Sequence, residues 1–114
     1  MEALILVGTG GSIGAIMRYW LSRMQPIKGL PAGTLTVNLL GSFVLAALTF
    51  SGVAGGMYDL LCTGVLGGFT TFSTFGFETF RMIENKDYGT ALANIIFNVA
   101  GSLIAVYAAY MIFK

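Results

Sequence analysis

Four long stretches without a charge set the frame for this chain. Its 114 residues carry six basic and five acidic side chains and no His. Residues 3–17, 29–58, 60–77 and 88–113 contain no charge at all. A membrane-crossing helix needs about 20 mainly apolar residues. The charge-free stretches therefore predict four spans, near 3–21, 33–51, 58–80 and 89–112. The segments between them hold the turn chemistry and the charge: 24–32 with Pro26, Gly29 and Pro31, the Gly-rich 52–57, and the polar 82–88.

Composition closes off several classes of function. Apolar residues make up 56% and charged residues 10%, against about 25% charged in a soluble domain. A soluble enzyme, a disordered chain and a secreted disulfide scaffold are all excluded on that ground. A net charge of +1 offers no basic face for nucleic acid. The absence of His removes the commonest general base and metal ligand. The lone Cys62 can form neither an intrachain disulfide nor a thiolate metal cluster.

Four spans consume most of the chain, which reads as a single transmembrane domain over 1–114, multi-pass in the cell membrane. Glu2 stands where a secretory leader would carry positive charge, and no small-residue cleavage motif follows the first apolar run, so no leader is expected. Arg18, Arg23, Lys28, Arg81 and Lys86 fall on the side of the 22–32 and 82–88 loops. That bias favours both termini outside, and it nearly vanishes if Arg18 and Arg81 are buried in protein. Four short helices cannot enclose a pore without turning polar groups to lipid, where each unsatisfied group costs several kcal/mol, so an oligomer is expected. Gly10/Gly14 and Gly64/Gly68 are small-xxx-small pairs suited to close helix packing.

Polar residues at membrane depth are the candidate functional groups. The run Gly8–Gly14 approaches a dinucleotide fingerprint but has Ile13 at the third glycine position and lies in a span, so helix packing explains it better. Arg18, followed by Tyr19 and Trp20, suits an Arg snorkelling within an aromatic belt. Asn38 offers two donors and an acceptor, for an interhelical bond or a polar pathway. In the third span, Gly67-Gly68 stands beside Thr70, Thr71, Ser73 and Thr74. Gly next to hydroxyls predicts a helix broken in mid-membrane, which is tolerated only where it is buried or lines a cavity. Carbonyls freed there suit a hard monovalent cation. Phe72 and Phe75 share a helix face, and their electropositive ring edges would favour a small anion without a deep binding well. Glu78 is spaced to pair with Arg81, with a proton-coupling role as the sharper alternative. Asn94, Asn98 and Ser102 form one helical stripe, expected as a hydrogen-bonding track facing the third span.

Taken in order, Gly10-Gly11-Ser12-Ile13-Gly14-Ala15-Ile16-Met17-Arg18-Tyr19, Gly33-Thr34-Leu35-Thr36-Val37-Asn38-Leu39-Leu40-Gly41, and Gly67-Gly68-Phe69-Thr70-Thr71-Phe72-Ser73-Thr74-Phe75 with Glu78 resemble the three helix motifs of the Fluc (CrcB) fluoride channels. The resemblance covers nearly the whole chain. It implies an all-α membrane fold with four transmembrane helices per subunit, a broken third helix and an antiparallel, dual-topology dimer with two fluoride pores. It also implies a structural Na⁺ on the two-fold axis, held by the backbone carbonyls of Gly67 and Thr70. The pore phenylalanines fall on Phe72 and Phe75, the pore asparagine on Asn38, and the vestibule Arg and third-helix Glu on Arg18 and Glu78. The fourth helix departs from the pattern, with Asn94 and Asn98 where the family often has Tyr and Ser, and Ser102 continuing the track.

The function so implied is passive export of fluoride, with fluoride, Na⁺, membrane lipid and a second subunit as partners. That subunit is a second copy or an oppositely oriented paralogue. The rival is a small multidrug-resistance type exporter of the same size. Such exporters need an acid in the first span for proton exchange, and Glu2 at its very start is the only acid there.

Overall fold

A computed structural model describes residues 2–114, and all its regular structure is helical. Four helices are long and apolar enough to cross a membrane, making this a multi-pass membrane protein. We label them α1 (Glu2–Leu21), α2 (Ala32–Phe50), the pair α3 (55–69) and α4 (Ser73–Glu84), and α5 (Tyr88–Phe113). Within α3, a π-helical stretch, Asp59–Leu66, separates Gly55–Tyr58 from Gly67–Phe69. Helical backbone ends at Phe69, where Thr70 turns extended (φ −80°, ψ 158°), and resumes at Ser73.

The expected spans match these elements to within a few residues: the second ends one residue past α2, the third crosses the break between α3 and α4, and the third and fourth helical regions extend past both estimated ends. Helical hydrogen bonding carries α4 past Arg81 to Glu84, beyond the charge at which the expected span stops. The turns match the punctuation residues. Lys28 and Gly29 both take positive φ in a tight turn closed by the Ile27–Leu30 pairing, and Pro31 supplies an extended residue before α2. Asp87 caps α5, accepting from the Thr90 N–H at 3.4 Å. A Cβ on Gly29 would stand 3.8 Å from the Thr90 methyl, so the first and third loops sit at one end of the molecule.

The helices form a slab of 46 × 31 × 19 Å. α1 packs along α3, and α2 along α5. The four glycines of the small-xxx-small pairs make the first contact possible. A Cβ on Gly10 would meet the Leu60 carbonyl, one on Gly14 the Val65 carbonyl, and one on Gly68 the Gly11 carbonyl. All of these are backbone atoms that cannot swing aside. A Cβ on Gly64 would stand 3.0 Å from the Gly10 Cα, a less severe but still close approach. Both pairs are thus spent within the subunit. Val37, Leu66 and Phe69 form the buried core, flanked by Leu21, Val44 and Leu48. Elsewhere large apolar side chains such as Ile16, Trp20, Ile104 and Ile112 face outward, as lipid-facing helices require.

Candidate functional site

The site grows from the place where α3 stops. In an uninterrupted helix the Thr71 N–H would bond to the Gly67 carbonyl and the Thr74 N–H to the Thr70 carbonyl. Here Thr71 N–H donates to Asn38 Oδ1 at 2.9 Å, and Thr74 N–H donates to Thr71 Oγ1 at 3.2 Å. Two side-chain oxygens have replaced two backbone carbonyls as acceptors. Thr70 Oγ1 turns back to the Leu66 carbonyl at 3.0 Å. Gly41 on α2 leaves the room this needs, since a Cβ there would run into the Thr70 methyl.

Two hollows meet at Thr71. A cavity of about 190 Å³ is lined by Arg18, Tyr19, Ser22, Thr34, Thr71 and Thr74, closed by Ala15 and Val37. A larger groove of about 390 Å³ runs along Asn38, Ser42, Thr70, Thr71, Phe72, Phe75, Asn98 and Ser102. The Phe72 and Phe75 rings meet edge to face, with centroids 5.7 Å apart and planes at 61°. Phe75 is buried, whereas Phe72 is 80% exposed, so only one ring of the pair is covered by this chain. Thr71 Oγ1 also donates to Thr74 Oγ1 at 3.2 Å and lies 3.5 Å from Ser73 Oγ. Three of the four expected hydroxyls, Thr71, Ser73 and Thr74, therefore form one cluster at the mouth of α4, while that of Thr70 turns away to the Leu66 carbonyl.

Asn38 links this cluster to α5. Its Nδ2 donates to Asn98 Oδ1 at 3.0 Å, and Asn98 Nδ2 donates to both Asn94 Oδ1 and the Asn94 carbonyl, each at 3.0 Å. Asn94 Nδ2 donates to Thr79 Oγ1 at 2.9 Å. The Asn94–Asn98–Ser102 stripe thus divides. Asn98 and Ser102 reach the groove, while Asn94, 1% exposed, stands one layer behind it.

Arg18 sends its Nε to the Gly68 carbonyl at 3.1 Å. That carbonyl is in the last turn of α3, where a cation offsets the helix dipole. The Arg therefore faces into the protein. Arg23 is the cation over the aromatic belt, stacked on Tyr19 and Trp20 at 5.9 and 5.4 Å. Glu78 is half-buried beside Thr34, with Oε1 buried and unpaired. It does not pair with Arg81, whose partner is Glu84 at 3.9 Å; the one-turn spacing is right for either acid, and Arg81 turns outward. Gly67 is exposed on the subunit surface.

Two contributors escaped the sequence reading. Ser42 lines the groove one turn after Asn38, and that i, i+4 spacing of polar residues was a usable signal. Thr79 is buried and donates to the Phe75 carbonyl at 2.8 Å; only its position one turn after Phe75 hinted at it.

Residues 5–110 match the family described as CrcB-like protein, Camphor Resistance (CrcB). The chain is 52% identical over 112 residues to the "Fluoride-specific ion channel FluC 1" of Methanosarcina barkeri, covering 97% of each chain. It is 51% identical over 107 residues to "Fluoride-specific ion channel FluC 3" of Methanosarcina acetivorans, covering 93% of this chain and 96% of that one. It is 45% identical over 112 residues to the "Fluoride-specific ion channel FluC" of Methanococcus aeolicus, covering 94% and 91%. With nearly every residue of the four spans inside the matched region, the chain belongs to the CrcB family.

Proposed function

We propose that the chain is a passive, fluoride-selective channel, and not an enzyme. The observation that carries this reading is the groove in which Asn38, the Thr71 hydroxyl and the Phe72–Phe75 pair converge. Fluoride is small and strongly hydrated, so a path must replace its water with donors. Asn38 accepts at Oδ1 from Thr71 and spends one N–H on Asn98, which leaves its second N–H for the groove. The Ser102 hydroxyl continues the donor series along the groove. Phenyl edges add weak electropositive contacts, which bind without trapping, as conduction requires. Ser73 and Thr74 extend the hydroxyls toward the Arg18 cavity, where the guanidinium and its positive charge draw anions in. Fluoride crosses membranes as its neutral acid and is trapped as the anion at cytoplasmic pH. A passive path lets it leave, aided by an inside-negative potential.

The functional unit is an antiparallel dimer of two such subunits, with a second copy as the simplest partner and an oppositely oriented paralogue as the alternative. An exposed Phe72 and an open groove would otherwise face lipid. The exposed Gly67 and the Thr70 carbonyl fit a structural Na⁺. Both carbonyls have lost their helical donors to side chains, and uncharged hard oxygens are the ligands such a cation takes. Bound there, the ion would supply positive charge between the subunits.

The test is efflux from proteoliposomes holding this chain alone, with valinomycin shunting the voltage and a fluoride electrode reading release. Fast fluoride release with no chloride release is expected. Release of neither ion by the single chain, and again after the paralogue is added, would sink the reading.

A further inference from the structure

We propose that Thr79, Asn94 and Asn98 are positioning residues that set which way round the Asn38 amide sits, keeping an N–H and not an oxygen turned to the ion path. Thr71 N–H donates to Asn38 Oδ1, Asn38 Nδ2 to Asn98 Oδ1, Asn98 Nδ2 to Asn94 Oδ1, Asn94 Nδ2 to Thr79 Oγ1, and Thr79 Oγ1 to the Phe75 carbonyl. The series begins on a peptide N–H, which can only donate, and ends on a peptide carbonyl, which can only accept. Every link between them is therefore forced in direction. Reversing any amide sets donor against donor on one side and oxygen against oxygen on the other.

Burial makes the constraint effective. Asn94, Asn98 and Thr79 are 1%, 4% and 8% exposed, so water cannot take the place of a lost partner, and an unpaired group there is costly. Thr79 is the far anchor. Its proton is committed to Phe75, so its oxygen accepts from Asn94, and that choice decides which end of the Asn94 amide meets Asn98. Without the Thr79 hydroxyl, the buried Asn94 Nδ2 loses its acceptor and the Asn94 amide is free to turn, which leaves Asn98 Nδ2 held by the Asn94 carbonyl alone and loosens the Asn98 Oδ1 that accepts from Asn38. The two ends of the series, Thr71 and Phe75, also bracket Phe72. One hydrogen-bonded path through α2, α5 and α4 thus holds the donor and both rings in register. Thr79 itself lies outside the groove lining, so its influence on the ion must travel along this path.

The flux readout rests on the fluoride reading above; hydrogen exchange at the Thr71 amide does not, and separates the two. The full chain is compared with Thr79→Val and Thr79→Ser. Thr79→Val is expected to lower fluoride flux about tenfold and to speed Thr71 amide exchange about tenfold, the effect of one lost buried bond. Thr79→Ser, which restores the hydroxyl, is expected to stay within about twofold of wild type in both. The double variant Asn38→Leu/Thr79→Val is expected to conduct no less than Asn38→Leu alone, because Thr79 acts through Asn38. If Thr79→Val does not assemble, Thr79→Ala is read the same way. Wild-type exchange in the Val and Ala variants, equal damage from Ser and Val, or multiplicative loss in the double variant would each overturn the proposal. A wild-type chain that conducts no fluoride would overturn the channel reading, with Thr71 exchange still deciding the relay.

Discussion

The Thr71 backbone N–H points at Asn38 Oδ1, 2.9 Å away, and not at the Gly67 carbonyl one turn behind it. A side chain from α2 thereby completes the hydrogen bonding of a helix it does not belong to. The exchange explains how backbone can leave helical geometry in an apolar setting, where an unpaired N–H or carbonyl would cost several kcal/mol. It also ties the interruption between α3 and α4 to the same amide that offers a donor to the groove.

Asn38 is accordingly the substitution with the largest expected effect. Asn38→Leu removes the acceptor of Thr71 N–H and the donor to Asn98 Oδ1 together. Each partner left unpaired costs about 1–3 kcal/mol. Fluoride efflux from proteoliposomes is expected to fall by about a hundredfold, since each 1.4 kcal/mol is about tenfold in rate. Flux within about twofold of wild type would remove Asn38 from the path.

The two phenylalanines separate flux from stability. Phe72 is 80% exposed in the subunit and Phe75 is 9% exposed, yet their rings touch edge to face. Phe72→Ile and Phe75→Ile are both expected to lower fluoride efflux about tenfold, because either one removes an electropositive edge. Only Phe75→Ile should also lower the thermal midpoint in detergent, by an amount matching about 1–3 kcal/mol for a buried ring replaced by a smaller side chain. Wild-type flux in either variant would take that ring out of the pathway.

How far the sequence reached depends on the range of the interaction. The four spans were legible because charge is sparse and the charge-free stretches, widened by a few flanking residues, reach the length of a membrane-crossing helix. The α1–α3 crossing was legible because Gly10, Gly14, Gly64 and Gly68 keep a fixed spacing. The hydroxyl and Phe cluster of 70–75 was legible because its residues are neighbours in the chain. Pairings across helices were not. Glu78 and Glu84 stand equally well for Arg81, three residues away on either side, and nothing local says that Arg81 turns outward to Glu84. The division of the α5 stripe was hidden for the same reason: spacing puts Asn94 and Asn98 on one face but does not say that Thr79 and Asn38 meet them at different depths. The π-helical stretch Asp59–Leu66 left no mark, because an i→i+5 turn has no residue signature of its own.

Packing between α1 and α3 can be tested without touching the site. A Cβ on Gly14 would meet the Val65 carbonyl and stand 2.9 Å from the Phe69 N, so the helices must part to admit it. Gly14→Ala is expected to destabilise the fold by about 1–3 kcal/mol, the usual range for an overpacked contact, and to lower the yield of assembled protein. Gly8→Ala is the control, because nothing lies within 4 Å of its added methyl, and Ala in a helix interior is favoured over Gly by about 1 kcal/mol. Thermal unfolding in detergent checks both. A Gly14→Ala midpoint equal to wild type would mean that α1 and α3 are not held at backbone contact.

Thr71 offers the sharpest test of the proposed cation ligands. Its Oγ1 takes the Thr74 N–H that would otherwise bond to the Thr70 carbonyl. In Thr71→Val the acceptor is gone, and the Thr74 N–H is free to return to that carbonyl. A carbonyl engaged by an N–H is a poorer cation ligand, so the substitution should weaken Na⁺ binding without altering either Gly67 or Thr70. The expected signature is a change in linkage. Replacing Na⁺ with N-methylglucamine should lower the thermal midpoint of the wild-type protein, because a ligand that binds only the folded state stabilises it by mass action. In Thr71→Val the same replacement should lower the midpoint less, and the Na⁺ concentration giving half the stabilisation should rise about tenfold. A full Na⁺ response in Thr71→Val would mean that the Thr70 carbonyl is not a ligand. No response in the wild type would remove the cation from this site altogether.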